Sequence, residues 1–268
     1  MFQSIAFGGG GVRGGMLVGA ISALERTQGL VFPKGVYGTS IGAVLATAVA
    51  FQMNAQQIKD MFENKFDLPL PSIRISNVTD VPTKKGLFSM DALEQMLVQA
   101  FQSQGIDIRD KTIGDAAQPL RIVASNMTTR RITILQGSVP LLTALKCSCC
   151  LPFVFHPQVL YGHVYLDGGV LLDSLVPVVP PDTLVFHISS TGDPMYPQQL
   201  GTMSLSSFVH AVYRGFRSAS PSPNMIWLQN DTISILQDLS PTDKTLLYEQ
   251  GYSQTMRWWS KRFGQKLL

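Results

Sequence analysis

The sequence predicts an α/β protein, because two strand–turn–helix units follow one another near its start. In the first, Ser4–Phe7 is short and apolar, as a buried strand should be. A glycine-rich turn, Phe7-Gly8-Gly9-Gly10-Gly11-Val12-Arg13-Gly14-Gly15, leads into Met16–Arg26, with Leu17, Val18, Ile21 and Leu24 at helical spacing. In the second, Val36-Tyr37 runs into Gly38-Thr39-Ser40-Ile41-Gly42, and an Ala-rich helical pattern continues to Val49.

Further along, Asn54-Ala-Gln-Gln has a capping-type start and predicts a helix to about Phe62. Asp67–Gly86 carries Pro69, Pro71 and Pro82 without clear periodicity, and reads as a long surface loop or flap. Ser89–Gln102 is an amphipathic helix whose Met90, Leu93, Met96, Leu97, Ala100 and Phe101 share a core-facing stripe. Leu120–Ser125 and Ile132–Leu135 read as strands flanking a turn, and Val139–Lys146 as a helix. Val164–Leu166 is a strand ending at Asp167-Gly168-Gly169, and Thr183–Ile188 is a buried strand. Gly192–Gly201 and Ser218–Asn224 are loops by their Pro, Gly and Ser content. Ser240-Pro241-x-Asp243 opens a helix running to about Phe263. With no internal repeat or low-complexity tail, residues 1–268 are expected to form a single domain.

A hydrophobic fraction of 45% against 15% charged residues describes a well-buried globular protein. The net charge of +3, with no basic block, gives no reason to expect nucleic acid as a partner. The three cysteines cluster as Cys147-Ser148-Cys149-Cys150, which is not a disulfide framework and suggests a reducing compartment. Adjacent cysteines diverge and no nearby histidine completes a ligand set, so no metal is expected there. The first residues lack the order of a secretory leader. The charge-free stretches Gly35–Ile58 and Cys147–Leu166 are broken by glycines or prolines and do not read as membrane spans. The expected location is therefore cytoplasmic, peripheral on membranes where the substrate requires it.

Gly38-Thr39-Ser40-Ile41-Gly42 is a Gly-x-Ser-x-Gly at a strand-to-helix turn. Flanking glycines let strand and helix pass closely, and the helix start offers unpartnered N–H groups to an oxyanion. A structural serine on a tight turn remains the alternative at this point. The preceding glycine loop fits G-x-G-x-x-G as Gly9, Gly11 and Gly14, but the acid a dinucleotide site needs is absent from the region of Lys34–Tyr37. Four consecutive glycines at a helix start instead suggest an anion-binding nest.

Taken together, these motifs resemble the patatin-like lipid acyl hydrolase family. Gly9-Gly10-Gly11-Val12-Arg13-Gly14 is similar to its oxyanion loop, with Gly19 and Ala23-Leu24-Glu25 extending the match. Gly38–Gly42 corresponds to its nucleophile elbow and Asp167-Gly168-Gly169 to the motif of its acid. Gly86-Leu87-Phe88, Pro119–Ser125, Ser148-x-x-x-Pro152-x-x-Phe155-x-Pro157 and Gly251-Tyr252 also fit, so the resemblance spans about Ile5 to Tyr252. Two positions depart from the pattern. Asp173-Ser174-Leu175 stands where an Asn-x-Pro segment is usual, and Gly8 replaces the usual Asp or Ser.

The resemblance implies a three-layer α/β/α sandwich with a mainly parallel central sheet. It also implies hydrolysis of phospholipid or lysophospholipid acyl esters by a Ser40–Asp167 dyad without histidine, through an acyl-enzyme. Gly9, Gly10, Gly11 and Ile41 would form the oxyanion hole, and Arg13 would brace the loop or meet a lipid phosphate. No cofactor is implied, and the partner is a lipid substrate. A catalytically silent binding protein of the same fold is the alternative. His156, His163, His187 and His210 are expected to be structural or superficial, although Ser40, Asp167 and His187 or His210 would follow the chain order of an α/β-hydrolase triad. Candidate membrane contacts are Phe2, the Asp67–Gly86 segment and the basic-aromatic stretch Met256–Leu268, which alternatively packs on the domain.

Overall fold

A computed structural model describes residues 1–65, 75–189, 197–199, 201, 220–234 and 238–264. The two expected units are present as β1 (Ser4–Phe7) and α1 (Gly14–Thr27), then β2 (Gly35–Thr39) and α2 (Ile41–Ala50). β1 and β2 pair in parallel with Phe7 opposite Gly38. Every residue of α2 is buried, which explains an apolar pattern without a polar face. α3 (Ala55–Lys65) begins at a reciprocal cap. Gln57 N donates to Asn54 Oδ1 at 2.8 Å and Asn54 N donates to Gln57 Oε1 at 3.0 Å.

The surface loop expected over Asp67–Gly86 is corrected. Residues 66–74 lie outside the described residues, but Ile75–Lys84 form a helix, α4, and Gly86–Phe88 a short strand, β3. Pro82 falls in the last turn of α4, where Lys85 N still donates to Val81 O and Lys84 pairs with Asp80 at 2.7 Å. A proline removes one helical donor, which a terminal turn held by an i,i+4 ion pair tolerates. α5 (Asp91–Gln102) buries its methionine-bearing stripe as expected. A hairpin of β4 (Leu120–Asn126) and β5 (Arg131–Leu135) follows, then α6 (Leu141–Cys149), beginning and ending later than its pattern suggested.

β6 (Phe153–Phe155) pairs with β3 in a small separate sheet, whereas β7 (Gln158–Leu160), β8 (His163–Asp167), β9 (Leu184–Ser189) and β10 (Met225–Gln229) join the main one. Of the loop expected at Gly192–Gly201, Pro197–Gln199 form a 3-10 turn and residues 192–196 and 200 lie outside the described residues. In Ser218–Asn224, residues 220–224 lead irregularly into β10.

The core of the main sheet, β10-β9-β1-β2-β4, is parallel throughout. One face, with Ile5, Phe7, Phe186 and Ile188, packs beneath the helices, and the other buries Ala6, Tyr37, Val123 and Val185 against Leu175 and the segment around it. This is the helix-flanked, mainly parallel α/β architecture that the sequence implies. β8 departs from it in a way that matters for the site. β5 pairs with β4 over Ile122–Asn126, and β2 pairs with β4 as far as Val123, so these two strands occupy opposite edges of β4. β8 pairs antiparallel with Ala124–Asn126 and must lie on the edge that β2 has just vacated. β2 and β8 therefore meet end to end, with Thr39 opposite Val123 and Asp167 opposite Ala124.

The last helix, α7 (Pro241–Phe263), is fixed by a capping box between Ser240 and Asp243 and closes at Gly264 with φ 68°. It lies against α1 with almost no intervening side chain. A Cβ on Gly251 would collide with the Met16 carbonyl, and one on Gly19 with the Tyr248 carbonyl. Phe2 packs against Trp258 and Trp259 with ring centroids 6.2 Å away in both cases, and Trp259 is buried. Arg262 donates to Pro223 O and Asn224 Oδ1, both at 2.8 Å. The two tryptophans thus pack on one another and on Phe2, while Phe263 touches them and stays 44% exposed. Among the described residues no helix is long and apolar enough to cross a membrane.

Gly251→Ala is expected to push α1 and α7 apart and destabilise the fold by about 1–3 kcal/mol. A urea denaturation midpoint unchanged from the native chain would contradict this packing.

Candidate active site

Ser40 sits between β2 and α2 at φ 56° and ψ −134°, a backbone conformation that L residues rarely adopt. The bend exists because its neighbours let backbones touch. A Cβ on Gly38 would collide with Gly42 and Ala43, and one on Gly42 would collide with the carbonyls of Phe7 and Gly8. Two hydrogen bonds through Ser148 pin the bend from below. Ser40 N donates to Ser148 Oγ at 2.9 Å, and Ser148 Oγ donates to Val123 O at 2.7 Å. Thr39 Oγ1 donates to the same carbonyl at 3.1 Å.

The glycine loop lies against this elbow. A Cβ on Gly9 would stand 3.1 Å from Ser40 Cβ and 3.8 Å from Ser40 Oγ, and one on Gly10 would stand 2.7 Å from Ile188. Gly11, at φ 57°, opens a 3-10 turn, Gly11–Arg13, that feeds α1. Arg13 N donates to Gly10 O, so the amides of Gly11 and Val12 have no partner within that turn. Ile41 heads α2 and has no intrahelical acceptor either. The Arg13 side chain is largely buried and its Nε donates to Ile233 O at 2.5 Å, tying the loop to the segment after β10. Gly8 N donates to Phe186 O at 2.9 Å, and a Cβ there would stand 2.9 Å from the same oxygen. A residue with a side chain would have to displace that carbonyl.

Asp167 ends β8 with only 3% of its surface exposed. Its N–H donates to Cys150 O at 2.8 Å and its Oδ1 accepts from Gly169 N at 2.7 Å. The end-to-end meeting of β2 and β8 brings Asp167 beside the elbow at successive positions on β4, about 3.3 Å apart along that strand. A Cβ on Gly168 would overlap Thr39 Oγ1 and reach to 2.9 Å from Val123 O, so glycine is required where the two chain ends cross. Ser125 braces the turn that follows, with Oγ donating to Gly168 O at 3.2 Å and accepting from Leu171 N at 3.1 Å. Where Asn-x-Pro is usual, Leu175 anchors the chain in the second core cluster.

The cysteines belong to this neighbourhood as buried, free thiols. Burial pushes Cys147 and Cys150 up to about 12 and holds Cys149 well above the usual thiol range, and the negative charge of Asp167 adds to the rise at Cys149 and Cys150. They stay protonated at neutral pH and pack as small apolar side chains. Among the described residues no group of three His, Cys, Asp or Glu side chains is placed to hold a metal ion.

Of the histidines, His187 lies on β9. It follows Phe186, about two strand spacings or roughly 10 Å from β2. Its ring lies edge-on to Trp227 of β10, at a centroid distance of 4.9 Å. His156 is half-buried with its carbonyl bonded to Cys150 Sγ, His163 starts β8, and His210 lies outside the described residues.

The structure thus gathers a serine on a strained strand–helix bend, a glycine loop against it and, where β8 meets β2 end to end, a buried aspartate. Residues 5–180, well over half of the chain, match the family model described as patatin-like phospholipase. The chain belongs to the patatin-like phospholipase family, a membership that supports lipid acyl hydrolysis in general. It is 28% identical over 193 residues to the uncharacterized protein YqhO of Bacillus subtilis, covering 64% of each chain. It is also 28% identical over 138 residues to a cUMP-AMP-activated phospholipase of Escherichia coli, covering 50% of this chain and 38% of that one. The chain thus spans less than two thirds of the length of these relatives. Among solved structures, VipD from Legionella pneumophila matches with a TM-score of 0.60 at 16% identity, over 97% of this chain and 67% of VipD. ExoU from Pseudomonas aeruginosa, solved with SpcU, matches with a TM-score of 0.53 at 15% identity, over 98% of this chain and 53% of that chain. At such identities these likenesses bear on the fold alone.

The contribution of Ser148 was not evident from the sequence beyond its place in Ser148-x-x-x-Pro152. Ser148→Ala is expected to leave the buried Ser40 amide without its acceptor, while Val123 O keeps Thr39 Oγ1. The expected loss is about 1–3 kcal/mol of stability. An unchanged denaturation midpoint would show that the elbow does not need this bond.

Proposed function

We propose that this protein is a serine lipid acyl hydrolase that cleaves acyl esters of phospholipids or lysophospholipids at Ser40, with Asp167 as base and no cofactor. The observation that carries the reading is the end-to-end meeting of β2 and β8 on one edge of β4, with Gly168 packed against Thr39. Two chain ends so close support a reading in which the Ser40 hydroxyl and the Asp167 carboxylate act on the same ester.

In the proposed cycle Ser40 Oγ attacks the ester carbonyl carbon as its proton passes to Asp167. The carbonyl oxygen becomes an oxyanion facing backbone N–H groups of Gly10, Gly11 and Ile41, with Gly9 shaping the wall beside Ser40. Collapse of the tetrahedral intermediate breaks the ester C–O bond, and the leaving alcohol takes the proton from Asp167. Water then attacks the acyl-serine and gives a proton to Asp167, which returns it to Ser40 Oγ as the fatty acid leaves. An ordinary carboxylate titrates near 4 and is a weak base at neutral pH, so oxyanion stabilisation has to supply much of the rate. Arg13 keeps the loop in place in this scheme, a role the bond to Ile233 O favours over a contact with lipid phosphate.

Ser40→Ala and Asp167→Asn, each folded by circular dichroism, are expected to lower acyl-ester hydrolysis by roughly a thousandfold or more. A fluorophosphonate probe should label Ser40 in the native chain. Full activity in either variant refutes the assignment, and a probe that leaves Ser40 unmodified favours a silent, lipid-binding member of the fold.

A further inference from the structure

Exposed apolar side chains stand on β7 and β8, where nothing in the proposed chemistry uses them. Val159 and Val164 stand directly opposite one another across the hairpin, 67% and 37% exposed. The two residues between Leu160 and His163 are Tyr161 at φ 49° and Gly162 at φ 76°. A two-residue turn of this kind favours Asn-Gly, and a bulky residue at its first position costs about 1–2 kcal/mol of backbone strain. Here a tyrosine occupies it with 70% of its surface exposed. Backbone strain that holds an aromatic ring in water calls for a functional explanation. Among the described residues β7 is moreover an edge strand, where an exposed valine invites aggregation unless something covers it.

The direction of β8 fixes where this hairpin points. Its end, Asp167, abuts the elbow, and the strand runs outward from there past the last residue of β4. Tyr161 lies six residues back, about 20 Å beyond Asp167 on the side where β1 and β2 end. The β4–β5 turn travels with it, since Val164 N donates to Thr128 Oγ1 at 2.9 Å and Met127 N donates to Val164 O at 2.8 Å. That second tip carries Arg130 and Arg131, both exposed. Apolar and aromatic groups flanked by cations, at the end of the sheet that holds Ser40, match the chemistry of an anionic bilayer surface.

We propose that the paired tips, with Val159, Tyr161 and Val164 entering the interface and Arg130 and Arg131 facing anionic headgroups, dock this protein on a phospholipid bilayer. The proposal rests on the lipid-hydrolase reading for its choice of occupant, and its test is independent of turnover. Co-sedimentation with vesicles of phosphatidylcholine containing phosphatidylserine measures docking, and hydrolysis of a soluble short-chain ester measures the catalytic centre separately.

Tyr161→Asn puts a residue suited to positive φ into the turn, so the thermal midpoint should hold or rise while vesicle binding falls about tenfold or more. Arg130→Gln with Arg131→Gln should lower binding to the anionic vesicles on the order of tenfold and leave the weaker binding to pure phosphatidylcholine unaltered. Soluble-ester turnover should stay within about twofold in both. A native chain that does not sediment with anionic vesicles, or a Tyr161→Asn chain that sediments as the native one does, overturns the proposal. Loss of soluble-ester turnover in the native chain would sink the hydrolase reading and leave the docking result to be read on its own.

Discussion

The site depends on how one edge of β4 is shared. β2 uses it as far as Val123, and β8, running the other way, takes it from Ala124 onward. Parallel strands alone would put the aspartate motif at the end of a neighbouring strand, a full strand spacing from the elbow. The reversal of β8 instead brings Asp167 in line with Ser40, so the two ends face one another on a single track.

Such a meeting crowds backbone against backbone, and the glycines are where the crowding is relieved. Gly168 passes Thr39, Gly38 and Gly42 let α2 turn back on β2 and β1, and Gly9 lets the glycine loop lie on Ser40. The strained φ of Ser40 persists because Ser148, Thr39 and the buried α2 surround it with bonds and packing that relaxation would break. Gly19 and Gly251 do the same for the α1–α7 contact, fixing the helix that the glycine loop feeds.

Much of this was legible in the sequence where the signal is local. The glycine loop, the elbow, Asp167 at a strand end and the Ser240 cap each announce a backbone need through residues a few positions apart, and each stands where it was read. What the sequence hid is non-local. Nothing near Val164–Asp167 says that β8 reverses, and the brief strands β6, β7 and β10 sit among prolines and loop-like residues that conceal them. Ile75–Lys84 was obscured by Pro82, which the last turn of a helix accommodates. Ser148 and Ser125 looked like ordinary polar residues because their bonding partners lie 25 to 108 and 43 to 46 positions away.

The central claim is that Ser40 and Asp167 work as one unit beneath a wall of glycine amides. A crystal structure of the chain after reaction with an alkyl phosphonate tests it most directly. The account predicts phosphorus bonded to Ser40 Oγ, an Asp167 oxygen about 3 Å from the ester or leaving-group side, and the phosphoryl oxygen within about 3 Å of the Gly10, Gly11 or Ile41 nitrogens. An adduct on another residue, or one on Ser40 with its phosphoryl oxygen in solvent and Asp167 out of reach, would contradict it.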